Sequence, residues 1–471
     1  MIKMKKTIPR FFIFPVLVVR WVVFFLFIMT TNAQDIIAQL RMTSEKVESI
    51  VFQPATEEEP LSLKACLAKA LNNNPLLSEA GLSVKAFKKG VDSAMGKHFP
   101  KIALDLNYTR RQDPLPFIPA QSTSISPHFS NEFASLNVLM TLPIYQGGQI
   151  TNGIELVKIR KIMQEENLTL TRNEIIANTV NTYNKIQQLK KIREAAQASL
   201  TALENQQKNS QMLFDLGRIA KVDLLKVAVQ LANERQRFFS IDEGLTNLAG
   251  TLHYLMGEQV EKIIAVPVLS DELTITEFTP NFDQSLLTAQ KKRPEYLIVE
   301  AVIQEAEINT KITQGRLLPS INAFAGYMDQ YGYNPYYNEA NWYTGINLSL
   351  PLFEKSLYDE IAKEHILKEK AEKHRLVILN QIRLDIQNAL SSLKESKNRI
   401  LTAKQAVKQA EESFRIEQKK YSSGAGIILD FLFAQAAYIT AVANHSQALF
   451  DYNAAMISYR KVTGTLEDYL Q

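Results

Sequence analysis

Apolar residues recur every seven positions at Leu379, Ile386, Leu393, Ile400, Val407, Phe414 and Tyr421. Three residues after each of the first five stand Ile382, Ala389, Ser396, Ala403 and Ala410, mostly small side chains. This is a heptad seam with a trimmed second line, so a neighbouring helix can approach closely and wind into a left-handed supercoil. The run breaks at Tyr421–Phe433 (YSSGAGIILDFLF), where Gly424 and Gly426 permit a backbone reversal. Helical spacing resumes at Phe431, Tyr438, Val442, Leu449, Tyr452 and Tyr459. The pattern predicts an antiparallel helical hairpin from about Ser356 to Thr463. At roughly 1.5 Å per residue its first arm alone spans about 95 Å. A globular core requires no such length; a hairpin of this size reaches for something.

The first half of the chain follows the same programme. Leu61 to about Gly96 reads as helix, broken at Asn72–Pro75, and after Pro100 the period changes to two. Ile102, Leu104, Leu106 and Tyr108 alternate with polar or small residues, as do Ala134, Leu136, Val138, Met140 and Leu142. A loop with Pro114, Pro116, Pro119 and Pro127 separates the two runs, and Pro143 reads as the end of the second. Gly147-Gly148 then turns the chain into a helix running to about Leu213, and FDLGRIAKVDLL (Phe214–Leu225) breaks it before a return helix to Gly257. Asn74-Pro75 recurs as Arg293-Pro294, and Pro100-Lys-Ile102 as Pro319-Ser-Ile321. Phe214, Gly217, Asp223 and Gly257 recur as Tyr421, Gly424, Asp430 and Gly464. Registration of this kind over much of the chain is the mark of a duplication. The expected organisation is a signal peptide over 1–33, a first structural repeat over 34–257, a linker over 258–281 and a second repeat over 282–471. The strands are expected at about 101–111, 132–142, 320–328 and 341–350, and the tips at about 214–223 and 421–430.

The leading segment has a basic start (Lys3, Lys5, Lys6, Arg10), the apolar run Trp21–Met29 and small residues at Thr31-Asn32-Ala33, which is the pattern of an export signal. Arg20 leaves the apolar run short for a spanning helix. Removing residues 1–33 with their five basic and no acidic residues takes the formal charge from +4 to −1. A nucleic-acid partner therefore has no electrostatic case. The single cysteine, Cys66, excludes an intramolecular disulfide framework. No cofactor or metal is expected. His365 and His374 lack the His-Glu-x-x-His spacing of a zinc helix, and Gly147-Gly148 lacks the lysine of a phosphate loop.

Strands with one continuous apolar face need apolar surroundings. Four strands cannot close the smallest usual barrel of about eight, so either they cover a soluble core or several chains pool them in a membrane. Tyr327, Tyr331, Tyr333, Tyr336, Tyr337, Trp342 and Tyr343 suit an interfacial girdle, although tyrosines also favour strands in general.

The order of elements, their duplication, the prolines at strand boundaries and the two tip stretches resemble the TolC-like outer-membrane efflux proteins from about Leu61 to Gly464. The resemblance implies a mainly α chain of long helical hairpins and a homotrimer. Its α-barrel crosses the periplasm, and its twelve pooled strands form a β-barrel in outer-membrane lipid. It implies a passive, non-enzymatic exit duct for a tripartite efflux pump or a type I secretion system, working with a periplasmic adaptor and an inner-membrane transporter. The alternative from the helical hairpins is a periplasmic adaptor itself, which lacks four strands nested in a duplicated helical frame.

At the tips, Gly217 and Gly424 suit left-handed helix caps. The resemblance adds adaptor docking through Gly217, Arg218, Ile219 and Ala220 and through Gly424, Ala425, Gly426 and Ile427, all expected to be exposed. Asp430 matches a family aspartate that lines the periplasmic aperture; a plain acidic residue at a helix N-terminus explains it equally well. The family's second aperture aspartate falls on Phe433, and an arginine that helps to latch the closed tip falls on Gly426. An acidic ring would then be thinner, and Phe433 suits an apolar constriction.

Overall fold

The computed structural model describes residues 60–117, 128–259, 266–271, 275, 278–333 and 337–467. The export signal, the acidic stretch before Pro60, Pro119 and Pro127, Tyr336 and much of the 258–281 linker lie outside the described residues. In chain order the elements are α1 (Leu63–Asn73), α2 (Pro75–Gly96), β1 (Lys101–Phe117), β2 (His128–Gln146), α3 (Gln149–Asp215) and α4 (Lys221–Leu255). There follow α5 (Phe282–Lys292), α6 (Pro294–Gly315), β3 (Ser320–Tyr333), β4 (Tyr337–Ser349), α7 (Lys355–Ser422) and α8 (Ile428–Thr463).

Local chemistry sets the helix boundaries. Ser62 Oγ accepts from Ala65 N (3.2 Å) to start α1. Asn74 ends that helix with an extended backbone, and its Oδ1 accepts from Leu76 N (3.0 Å) to start the next. Pro75 stands first in α2, where a missing N–H costs nothing. Asn281 caps α5 by accepting from Asp283 N (2.9 Å), and Pro294 opens α6 just as Pro75 opens α2.

The four strands form one antiparallel sheet in the order β1-β2-β3-β4. Its register sets the alternating apolar residues opposite one another: Leu104 faces Val138, which faces Tyr327, which faces Trp342. The neighbouring row is Ile102, Met140, Ala325 and Thr344. This face is bare: Ile102, Leu104, Leu106 and Tyr108 are 59–67% exposed, and Trp342 and Ile346 about as much or more. The opposite face carries Asp105, Asn107, Asn137, Asn322, Gln330, Asn341 and Asn347. Tyr327, Tyr331 and Trp342 share the apolar face, whereas Tyr343 lies on the polar face, covering Gly326 and packing on Phe324 at a centroid distance of 6.1 Å. The aromatic cluster of the sequence therefore divides between the two faces.

The strands are longer than the spacing predicts. Pairing continues past Arg110 to Phe117 and past Pro143 to Gln146. A register shift between Arg110 and Leu115 takes in Pro114, and another lies between Pro143 and Tyr145. Such irregularities accommodate residues that lack a donor, so Pro143 is carried within its strand rather than ending it.

Each long helix spans two shorter partners. α3 packs on α2 and then on α4, and α7 packs on α6 and then on α8. α3 also meets α6 and α8, which joins the two halves. One core combines Cys66 of α1 with Tyr183 and Ile186 of α3, Leu245 and Leu252 of α4, and Met256 just after it. The heptad seam of α7 is buried at Ile382, Ile386, Ala389, Leu393, Ser396, Ile400 and Ala403. Of these, Ala389, Leu393, Ile400 and Ala403 cluster with Ala448, Tyr452, Ala455, Met456 and Tyr459. Towards the tip the same seam is only half-buried at Val407, Ala410, Phe414 and Tyr421. Among the described residues, no helix is long and apolar enough to cross a membrane.

Candidate functional site: the paired helical tips

Both hairpins reverse in the same way. α3 is capped by Leu216, Gly217 takes φ +67°, and Arg218 N donates to Leu213 O (2.8 Å) while Gly217 N donates to Phe214 O (2.8 Å). α7 is capped by Ser423, Gly424 takes φ +77°, and Ala425 N donates to Lys420 O (2.9 Å) while Gly424 N donates to Tyr421 O (3.0 Å). This crossed pair of bonds is the Schellman arrangement, which satisfies helix-end carbonyls and requires a left-handed residue. Each tip is then only a few residues long before the next helix begins.

Gly217, Arg218, Ala220, Gly424, Ala425 and Ile427 are exposed. Ile219 and Gly426 are half-buried rather than exposed, and Gly426 lies against Lys420 and the backbone of Tyr421. Asp430 is exposed in the first turn of α8, and Phe433 is 66% exposed one turn further on.

Beneath the tips the two hairpins share a core. Val227 of α4 packs with Ile428 and Phe431 of α8, backed by Phe414 and Tyr421 of α7. The Phe431 ring lies 5.7 Å from that of Phe414 and 5.9 Å from that of Tyr421. Phe414 in turn stacks on Tyr438 at 5.9 Å.

Beside this core lies an open groove of about 450 Å³ between α4 and α8, lined by Val222, Leu225, Val229, Leu429, Leu432 and Phe433 among others. Val222, Leu225 and Val229 are each more than half exposed. Sequence reasoning missed this groove. Its signal was present: Val222, Leu225 and Val229 follow helical spacing on one face of α4, and Leu429, Phe433 and Ala436 do so on α8. Val222 and Leu429 hold equivalent positions after their tips, as do Lys226 and Phe433.

That last equivalence makes the tips electrostatically unlike. Asp223 pairs with Lys226 at 3.1 Å, within one turn of α4. Asp430 has Phe433 in the place of that lysine. Its charge, with the nearer Glu417, instead contributes to holding the Lys420 ammonium above its ordinary value, the hydrogen bond from Lys420 to Glu417 being the larger cause. Among the described residues, no cluster of His, Cys, Asp and Glu could hold a metal ion.

The chain thus combines long paired hairpins with a four-stranded sheet that exposes one apolar face. The chain belongs to the outer membrane efflux protein family, whose pattern matches residues 66–258 and 286–465. It is 20% identical over 412 residues to the outer membrane efflux protein BepC of Brucella suis, covering 86% of each chain. It is 20% identical to the outer membrane protein TolC of Vibrio cholerae, covering 85% of this chain and 90% of that one. Its fold is similar to the crystal structure of the CmeC outer membrane channel of Campylobacter jejuni, with a TM-score of 0.73 at 16% identity over 86% of each chain. The protein is an efflux channel of the outer membrane, in a family of channels rather than enzymes, and nothing in these likenesses favours the periplasmic adaptor.

Proposed function

We propose that three copies of this chain pool their sheets into a twelve-stranded barrel, continued by a twelve-helix tunnel into the periplasm, and passively conduct substrate outward. The observation that carries this reading is the sheet itself. In one chain β1 and β4 are edges with unpaired backbone, and the bare apolar face has no protein cover among the described residues. Lipid accepts neither condition singly: edges must close, and the outer face must be apolar. From Ile321 to Tyr331 the strand rises about 34 Å at ~3.4 Å per residue. Tilted by about 35–45°, that covers roughly 24–28 Å, the height of a lipid-facing band. Among the described residues, Asp329 is the one charge within this stretch of the face, and Tyr331 donates its hydroxyl to it at 2.5 Å. Tyr331 suits the outer rim of that band, whereas Tyr327 and Trp342 share the row of Leu104 nearer its middle.

The two halves of the chain, 34–257 and 282–471 joined by a linker over 258–281, act in this reading as duplicated units that each contribute two strands and one tip. The tips, through Gly217–Ala220 and Gly424–Ile427, dock on a periplasmic adaptor, and an inner-membrane transporter supplies the energy. Asp430 and Phe433 line the aperture, with one acidic ring and one apolar ring around the threefold axis. The test is the native mass of the mature protein extracted from outer membranes in mild detergent. Three chains per particle are expected. A monomer, or release without detergent, overturns the pooled barrel.

A further inference from the structure

The duplication extends into the sheet. Lys101 recurs as Ser320, and Thr141 recurs as Ser349. Carried along the strands, that correspondence turns every β1–β2 pair from Lys101–Thr141 to Arg110–Glu132 into a pair that β3 and β4 make. The two hairpins therefore share one register, and a single seam, β2–β3, joins repeat to repeat within the chain. In a closed ring, the seam between β4 of one copy and β1 of the next has the same makeup. It sets the second strand of one repeat beside the first strand of another. Head-to-tail junctions of this kind close into a ring when each repeats the same rotation.

We propose that β4 pairs with β1 of the next copy in the register of the β2–β3 seam. This rests on the pooled-barrel reading and adds to it the residues that meet. In the observed seam Leu142 faces Ala323, Met140 faces Ala325 and Val138 faces Tyr327. Their counterparts set Leu350 opposite Leu104 of the next copy, Leu348 opposite Leu106 and Ile346 opposite Tyr108. All are exposed in the single chain. Each pair joins apolar face to apolar face, as lipid requires.

Matching faces alone leaves the register open, since a slip of one residue turns every side chain over but a slip of two does not. The foot of the sheet decides it. Pro143-Ile-Tyr-Gln146 recurs as Pro351-Leu-Phe-Glu354. Past Pro143 the β2–β3 seam skips Ile144, then pairs Tyr145 with Ile321 and Gln146 with Ser320. β4 instead stops at Ser349, and Leu352 and Phe353 are left 89% and 80% exposed. The backbone is still extended at Glu354 (φ −147°, ψ 102°). The transferred register pairs Phe353 with Ile102 of the next copy, itself 67% exposed, and Glu354 with Lys101. Two bare apolar side chains thus cover each other, and an acid meets a base on the polar face of the sheet. A slip of two in either direction sets Glu354 opposite Phe99 or Ala103 instead, and the charge match is lost.

Disulfide capture in the full chain, within outer membranes, checks this register; the native thiol, Cys66, is buried. Directly opposite residues have Cα atoms about 4.5–5.5 Å apart, within reach of a disulfide, and residues slipped by two stand roughly 7–8 Å apart, outside it. Leu106→Cys with Leu348→Cys is expected to give covalently closed three-chain species on mild oxidation, seen on a non-reducing gel. The two sites lie on opposite edges of one chain's sheet, so the bond forms only between copies. Leu104→Cys with Leu348→Cys and Tyr108→Cys with Leu348→Cys carry the slipped registers and are expected to link several-fold less. Should the first pair not reach the membrane, Ile102→Cys with Phe353→Cys takes its place, with Leu104→Cys and Phe353→Cys as its slipped control. Equal or greater linking by a slipped pair, in a particle whose native mass is three chains, overturns the register and leaves the pooled barrel standing. A native mass of one chain overturns both.

Discussion

Phe431 and Phe433 are two residues apart on one helix, yet they should behave oppositely when truncated. Phe431 is 2% exposed, and its ring joins α8 to Phe414 and Tyr421 of α7 and to Val227 of α4. A buried aromatic removes about 150–250 Å² from water, or roughly 4–6 kcal/mol at ~25 cal/mol per Å². Truncations of buried phenylalanine typically cost about 3–5 kcal/mol, because the site relaxes in part. In an assembly of long helices that loss appears as local opening of the tip rather than global unfolding. Three kcal/mol multiplies a local opening constant about a hundredfold or more. Phe431→Ala should therefore speed amide exchange over residues 421–440 by that factor and leave the seam at 382–400 unchanged. Phe433→Ala, removing an exposed ring, should stay within about 0.5 kcal/mol of wild type. Equal effects of the two substitutions, or an increase spread evenly along α7 and α8, would refute the shared core as the element that closes the tips together.

Leu104→Arg places a charge in the middle of the bare sheet face and is expected to cost about 2–4 kcal/mol in lipid. Outer-membrane yield should fall, whereas Asn107→Arg on the polar face should be recovered at wild-type levels by fractionation. Gly424→Val forces a β-branched residue into a left-handed conformation although no neighbouring atom lies within 4 Å of the added carbon. The expected cost of about 1–3 kcal/mol is thus purely backbone strain, read as faster exchange around 421–427, with Gly424→Asn distinctly milder.

The α7 seam was legible in the sequence because a seven-residue repeat states both the helix and the side it buries. Ile382, Ile386, Leu393 and Ile400 are buried as their spacing requires. The strands were legible as alternation, and the register sets Leu104 and Val138 opposite each other. Their ends were not. A proline normally stops a ladder, and only pairing with a partner strand reveals that Pro143 sits beside a register shift and is carried through. Tyr343 was misplaced with the other aromatics because composition has no parity; its odd number puts it on the polar face of β4 together with Gly345 and Asn341. The burial of Glu234 on α4 was invisible for a different reason. A single glutamate in an apolar seam looks like a solvated position until the bundle closes around it.

The tip groove extends that lesson, since its two walls come from parts of the chain about two hundred residues apart. Val222 and Leu429 occupy equivalent turns, so duplication alone places apolar residues symmetrically on both walls. Symmetry fails at one level, where Lys226 stands on one wall and Phe433 on the other. On the first wall the lysine pairs with Asp223 within one turn. On the second, Phe433 stands where the lysine would pair with Asp430. A duplicated unit with identical tips would present the same chemistry twice. This one presents an acid paired with a lysine one turn on in the first hairpin and an acid with an exposed ring in that place in the second, so the two tips differ for any partner that reads charge.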